Sequence, residues 1–192
     1  MRRFDEEGVA AAARLLLEAS GLDMQDPLLQ GTPRRMAHAF REFFSGVWED
    51  ELVPLRRGDA VPDGTGLVAL KDLEFRSVCA HHLLPFSGLL HVIYEPVQRV
   101  VGIGSIARTV AILTARPQLQ EALAQQLAHA IVEGAEAAGC LIVIEARHAC
   151  IADRGPRERT SRLVTTASAG AMVNPSRRAE ALLALRCDPA LG

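Results

Sequence analysis

No apolar run in the chain approaches the ~20 residues that a helix needs to cross a bilayer. A charge excess is missing as well: 21 Lys and Arg stand against 23 Asp and Glu, for a formal net charge of -2. No long-range field therefore recruits nucleic acid or an anionic membrane, and any basic site must be local. Internal repeats and low-complexity tracts are absent. The four cysteines, Cys79, Cys140, Cys150 and Cys187, form no dense disulfide framework. In a reducing compartment such cysteines are core residues, metal ligands or catalytic groups. The opening "MRRFDEEGVAAAARLLLEAS" has two arginines before an Ala/Leu stretch, yet Asp5, Glu6 and Glu7 interrupt it. It lacks the apolar core and cleavage site of a signal peptide and reads as an amphipathic helix of a cytoplasmic protein.

What the chain does have is ordinary for one globular unit: 192 residues, 49% hydrophobic and 23% charged, enough for a substantial core. Phe4 to Ser20 has helical periodicity, with Val9, Ala13, Leu16 and Leu17 on one face. A second helix is expected with Thr32 as N-cap, Pro33 at the first helical position and Gly46 as stop signal. Glu49 to Gly66, rich in charge, proline and glycine, reads as a loop.

From Leu67 the pattern turns β-rich. "LVALKDLEFRSV" and "GLLHVIYEP" read as strands flanking "SVCAHHLLPF", and "RVVGIG" as a short third. "SIARTVAILTA" is helical, and Pro117 is expected to open a longer helix that ends at Gly139. "CLIVIEARHACIA" and "TSRLVTTASAG" read as paired strands, and a last helix covers roughly Pro175 to Leu185. The expected organisation is a helical segment over 1–50, a loop over 51–66 and a larger unit over 67–192. The order predicts an α+β fold, an antiparallel sheet with helices on one face.

Two stretches carry chemistry. Cys79 and His82 are spaced so that both reach one ion from a tight bend, although a lone C-x-x-H pair reads equally well as a buried cysteine beside surface histidines. The second stretch, "EARHACIADRG", changes the balance. On a strand, His148 and Cys150 would share a face, so Cys150 completes a Cys-His-Cys set with Cys79 and His82. Two thiolates and an imidazole suit zinc, and three protein ligands leave a fourth position for water. An open position implies catalysis, whereas a structural ion would need a fourth protein ligand. Cys140 is too far along its strand to join, and Cys187 is in the tail; both read as structural. His81 and His148 then flank the ligands as proton-transfer groups, the bland alternative for each being an imidazole hydrogen-bonded to backbone. From the residues alone, Gln120 and Glu121 are a polar first helical turn that favours the helix dipole.

Read in order, "TPRRMAHAF", "CAHHLLPFSG", "VVGIGSIAR", "RPQLQEAL", "EARHACIADRG" and "TTASAG" resemble the zinc-dependent GTP cyclohydrolase I family, over most of the chain. The resemblance implies the tunnelling fold, in which small sheets of several subunits join into a barrel. It implies a homo-oligomer, typically a decamer of two stacked pentamers with active sites between subunits. Zinc would sit at Cys79, His82 and Cys150, and His81 and His148 would be the acid–base residues of catalysis. Glu121, with Gln120 beside it, would hold the guanine ring. The implied reaction hydrolyses the guanine imidazole ring of GTP at C8, releases formate, and closes the rearranged ribose onto the exposed amines as 7,8-dihydroneopterin triphosphate, a pterin precursor. His148 would protonate the departing ring nitrogen and His81 would shuttle protons.

The chain departs from the family at one place. Members carry serine then lysine where Gly104 and Ser105 stand here, so a cation that holds the triphosphate is missing. A lost charge-assisted phosphate contact costs about 1.5–3 kcal/mol, roughly one to two decades in affinity. Arg35, Arg108 and Arg154 stand at matching positions, and Ser105 is one residue along from the family's serine. Arg157, Arg159 and Arg162 add local positive charge, though a solvated loop explains them as well. Three expectations follow: a GTP cyclohydrolase; a specialised paralogue that opens another guanine nucleotide or nucleoside or stops at a ring-opened intermediate; and a non-catalytic purine- or pterin-binding ring protein. The last has no use for an open metal position between two proton-transfer histidines.

Overall fold

The computed structural model describes residues 4–186, and Cys187 lies outside them. The first helix, α1 (Glu6–Ala19), is started by Asp5, whose carboxylate accepts the Gly8 N–H at 2.9 Å. It packs against α2 (Thr32–Phe43). Thr32 is not the N-cap of α2. Gly31 takes that place, its carbonyl accepting the Arg35 N–H, while the Thr32 hydroxyl accepts from the Arg35 guanidinium at 3.2 Å.

Gly46 does not stop α2 either. The helix ends at Phe43, and Gly46 lies in a 3-10 turn, Ser45–Trp48. A Cβ there would stand 1.8 Å from the Ile112 carbonyl oxygen, so glycine is set by close packing and not by helix termination. The stretch read as a loop carries a 3-10 turn, Val53–Arg56, and a short strand, β1 (Asp59–Ala60).

Strands β2 (Val68–Cys79) and β3 (Pro85–Glu95) form a long antiparallel pair, broken by a bulge between Leu70 and Leu73 where Asp72 adopts φ 58. Strand β4 (Arg99–Val100) returns to pair with β1, and α3 (Ile103–Thr114) follows. Pro117 does not open a helix: Pro117–Gln118 is a two-residue strand, β5, running parallel to Val78–Cys79. Proline is at home there, because an edge position asks nothing of its missing N–H. Helix α4 starts at Gln120 and ends at Ala135, where Glu136 takes the left-handed conformation (φ 52) that Gly139 was expected to supply. Gly139 opens β6 (Gly139–His148), where a Cβ would meet the Met172 backbone nitrogen at 2.7 Å. One turn of helix, α5 (Ala149–Ala152), then leads through a loop to β7 (Leu163–Gly170) and α6 (Pro175–Leu185).

The main sheet runs β5-β2-β3-β6-β7, antiparallel throughout except for the β5–β2 contact. Side chains alternate between its faces. Leu90, Val92, Tyr94, Ile142 and Ile144 meet Leu123, Leu127 and Ile131 of α4 and Ile106, Val110 and Leu113 of α3. Ile93 and Leu141 point the other way and pack with Met172 and Ala181, so α6 covers part of the face opposite α3 and α4. Helices therefore lie on both faces, with the main core on one. The N-terminal segment is pinned to this frame by Arg116, which donates to the Gly46 and Glu49 carbonyls and to the Glu51 carboxylate. Among the described residues no helix is long and apolar enough to cross a membrane.

Candidate active site

The chemistry-bearing residues collect at one end of the sheet, where β2 and β6 finish and β3 and β7 begin. The β2–β3 hairpin turns tightly there. Cys79 N–H donates to the Leu84 carbonyl at 2.9 Å and Leu83 N–H to the Cys79 carbonyl at 2.8 Å, with Leu83 at φ 53. Ala80 N–H donates to the Gln118 carbonyl at 3.1 Å, so β5 braces the turn from outside. This bend puts Cys79 and His82 on one ion-sized gap and leaves His81 and His82 solvent-exposed, their rings edge to face at 6.2 Å.

Cys150 reaches the same gap from α5, not from the strand that was expected to carry it. Strand β6 ends at His148, and the single turn that follows swings Cys150 toward the hairpin. The ligand atoms of Cys79, His82 and Cys150 lie within 4.8 Å of one another. Tetrahedral sulfur and nitrogen donors at 2.0–2.3 Å from a shared zinc stand roughly 3.3–3.8 Å apart, so a small inward movement closes the set. Among the described residues no fourth His, Cys, Asp or Glu joins them. The thiols also want a cation. Burial pushes the Cys150 thiol up, the neighbouring Cys79 pushes it further, and Arg154 only partly opposes this. A divalent ion between the sulfurs removes that obstacle to ionisation. The donor set fits a metal ion with an open position.

His148 stands beside the cluster, half-buried on the face of the sheet that α4 covers. Its ring lies flat on Phe86, its register partner on β3, with centroids 4.8 Å apart and planes 2° from parallel. Its Nε2 is 2.8 Å from the Gln120 side-chain oxygen. Burial lowers the His148 pKa, and the nearby Glu121 carboxylate pulls it partly back. Glu121 itself is exposed in the first turn of α4. Behind His148 a cavity of about 200 Å³ opens between β6, Ile151 and the 158–163 segment. A roomier hollow of about 530 Å³, lined by Glu74, Arg76, Leu89, Arg147 and Arg162, contains none of the candidate ligand or acid–base residues.

The candidate phosphate contacts are less gathered. Arg154 is near enough to act on Cys150. Ser105 lies half-buried in the first turn of α3. Arg108 is paired with Glu49, and Arg35 donates to the Leu28 carbonyl and the Thr32 hydroxyl. Cys140 is fully buried in the main core, where burial pushes its thiol far up, in keeping with a structural residue. Sequence reasoning missed Phe86 and Glu49. Phe86 was within reach, because the alternation of β3 puts it on the face of Leu90 and Val92; nothing local marks Glu49 as the partner of Arg108.

Two antiparallel strands, two helices on one face and two more antiparallel strands, with Cys79, His82 and Cys150 placed at the sheet's end where they could hold a metal ion, define a tunnelling-fold protein. The chain belongs to the GTP cyclohydrolase I family, whose model matches residues 9–186. It is 42% identical to a GTP cyclohydrolase 1 of Leifsonia xyli subsp. xyli, over 99% of this chain and 100% of that one. A GTP cyclohydrolase 1 of Bifidobacterium longum (strain NCC 2705) is 44% identical over 93% of this chain and 90% of its own. One from Dehalococcoides mccartyi (strain ATCC BAA-2266 / KCTC 15142 / 195) is 42% identical over 93% of this chain and 96% of its own.

Proposed function

We propose that this protein is a zinc-dependent cyclohydrolase that opens the guanine imidazole ring of GTP at C8, releases formate and forms 7,8-dihydroneopterin triphosphate. The observation that carries this reading is the meeting of Cys79, His82 and Cys150 within 4.8 Å, beside two histidines that are not ligands. Zinc held there supplies Lewis acidity and an activated water at its open position.

The protein's own residues do the rest. The Glu121 carboxylate accepts two hydrogen bonds from the ring N–H and exocyclic amine of guanine, which sets C8 toward the metal centre. His148, neutral at physiological pH because burial disfavours its cation, accepts a proton and returns it to the ring nitrogen as the C8–N bond breaks. The exposed His81 exchanges protons with water. Arg35, Ser105, Arg108 and Arg154 hold the phosphates. Catalysis is assigned to the unit from residue 67 onward, with the 1–50 segment contributing Arg35.

The proposal extends to a cytoplasmic homo-oligomer of two stacked pentamers. Among the described residues, strand β7 has a sheet neighbour on one side only, and β2 before Val78 has none on its outer side. Such edges pair with further strands, and joining β2 of one subunit to β7 of the next is how a ring would close.

A second reading is favoured by one observation. Arg108, a phosphate contact in the first reading, is ion-paired with Glu49, and Gly104 and Ser105 supply no cation. A guanine substrate with fewer phosphates than GTP suits that arrangement. Both readings are tested by Cys150→Ala: zinc content and formate release should fall together to background. Retained formate release would remove Cys150 from the ligand set and the proposed chemistry with it.

A further inference from the structure

Gln120 is 1% exposed, and its amide has an unusually complete set of partners. The nitrogen donates to the Ile144 carbonyl at 3.2 Å, the Leu163 carbonyl at 3.0 Å and the Thr165 hydroxyl at 3.1 Å. Two of those partners are backbone carbonyls, which only accept. Rotating the amide by half a turn would set its oxygen against both of them in a buried site, a strongly unfavourable arrangement. The orientation of Gln120 is thus dictated by its surroundings, and its oxygen must face His148.

That oxygen is 2.8 Å from His148 Nε2. An amide oxygen has no proton to give, so Nε2 must carry one. A histidine with hydrogen at Nε2 is either the cation or the neutral tautomer whose lone pair is on Nδ1. The flat contact with Phe86, at 4.8 Å and 2°, prevents the ring from tilting out of this bond. The carbonyls that hold Gln120 belong to β6 and β7, whose pairing in this stretch (Ile144 with Thr165, Ala146 with Leu163) places both on the same site.

We propose that Gln120 is a positioning residue that fixes His148 as the Nε2–H tautomer, so that Nδ1 is the nitrogen that exchanges a proton with the substrate. This rests on the reading of His148 as the group that serves the guanine ring nitrogen. It replaces the expectation that Gln120 touches the guanine ring, since its donors are already committed to the protein. The neighbouring Glu121 keeps the substrate role: consecutive residues on one helical turn point in different directions, one into the sheet and one outward.

The test is ¹⁵N NMR of the full-length, zinc-loaded protein labelled at the histidine ring nitrogens, with the His148 signals assigned by their loss in His148→Asn. Wild type should show a protonated Nε2 and a bare Nδ1. In Gln120→Leu, which keeps the side chain's bulk, the His148 signals should move toward a mixture of both tautomers. A protonated Nδ1 in wild type, or an unchanged spectrum in Gln120→Leu, overturns the inference. Kinetics provide an independent arm. A misplaced or wrongly protonated acid–base group costs on the order of 10²-fold in turnover, so Gln120→Leu should lower kcat by about that factor with little change in KM for GTP. A rise in KM at unchanged kcat would return Gln120 to the substrate contacts. If wild type shows the Nε2–H tautomer but releases no formate from GTP, GDP, GMP or guanosine, the hydrogen-bond assignment stands and the proposed activity falls.

Discussion

The imidazole of His148 rests face to face on the ring of Phe86, 4.8 Å between centroids and 2° from parallel. The two residues are cross-strand partners, so the sheet register itself sets the stack. Phe86 is in turn held edge-on by Phe75 at 5.8 Å, which anchors the platform in the main core. Phe86→Leu keeps an apolar side chain but gives His148 no flat support. Loss of the ring should cost about 1–2 kcal/mol of stability while the metal ligands stay in place. The expected outcome is unchanged zinc content by elemental analysis and about tenfold slower formate release. Full activity in a zinc-replete Phe86→Leu protein would mean that the stack does not orient the histidine.

Glu49 sits on Arg108 while Arg108 is half exposed to solvent. An exposed ion pair contributes about 0.2–1 kcal/mol, and phosphate must displace or share it. Glu49→Gln removes the competing charge without removing the side chain. The KM for GTP should then fall about two- to fivefold, with guanosine unaffected because it has no phosphate to benefit. Parallel steady-state kinetics on the two compounds make the comparison. Equal effects on both would show that Arg108 does not meet the phosphates.

Two glycines make an opposed pair. A Cβ on Gly88 would lie 1.9 Å from the Glu145 carbonyl oxygen and 2.7 Å from the Ala146 Cα, both backbone atoms of the neighbouring strand. Neither can yield without parting β3 from β6, so Gly88→Ala should destabilise by more than about 3 kcal/mol, if soluble protein is obtained at all. A Cβ on Gly104 meets nothing within 4 Å, and alanine is the better helix former there. Gly104→Ala should raise stability by about 0.5 kcal/mol. Thermal unfolding of both variants decides, and the two shifts should have opposite signs.

Much of this architecture was legible in the residues. Alternation along β2, β3 and β6 marked the strands, and the last helix was bounded as observed, with Asn174 accepting from Ser176 and Arg177 at its start. Several misread boundaries share a cause: a tertiary contact overrode a local signal. Pro117 was taken as a helix opener because proline suits a first turn, but the β2 edge recruited it into a parallel bridge. Gly46 and Gly139 looked like helix stops, and each turned out to be a place where another backbone passes too close for a Cβ. Cys150 reaches the metal gap only because β6 ends at His148 and the chain turns. Spacing grouped the three residues that meet there, but it put Cys150 on the strand and not on the turn that follows. Pairings such as Arg108 with Glu49, 59 residues apart, leave no local trace, because nothing near either residue requires the other.

The central claim is that the Cys79–His82–Cys150 centre opens the guanine ring. The most direct measurement follows formate and ring products when zinc-loaded protein is given GTP, GDP, GMP and guanosine in parallel, with a chelated sample as reference. The account predicts formate with a pterin triphosphate from GTP, none of either after chelation, and recovery when zinc is returned. A preference for a less phosphorylated compound, or accumulation of an opened ring, would instead identify the specialised paralogue that Glu49, Gly104 and Ser105 favour. Absence of formate from all four substrates, with zinc bound at the three ligands, would contradict the account.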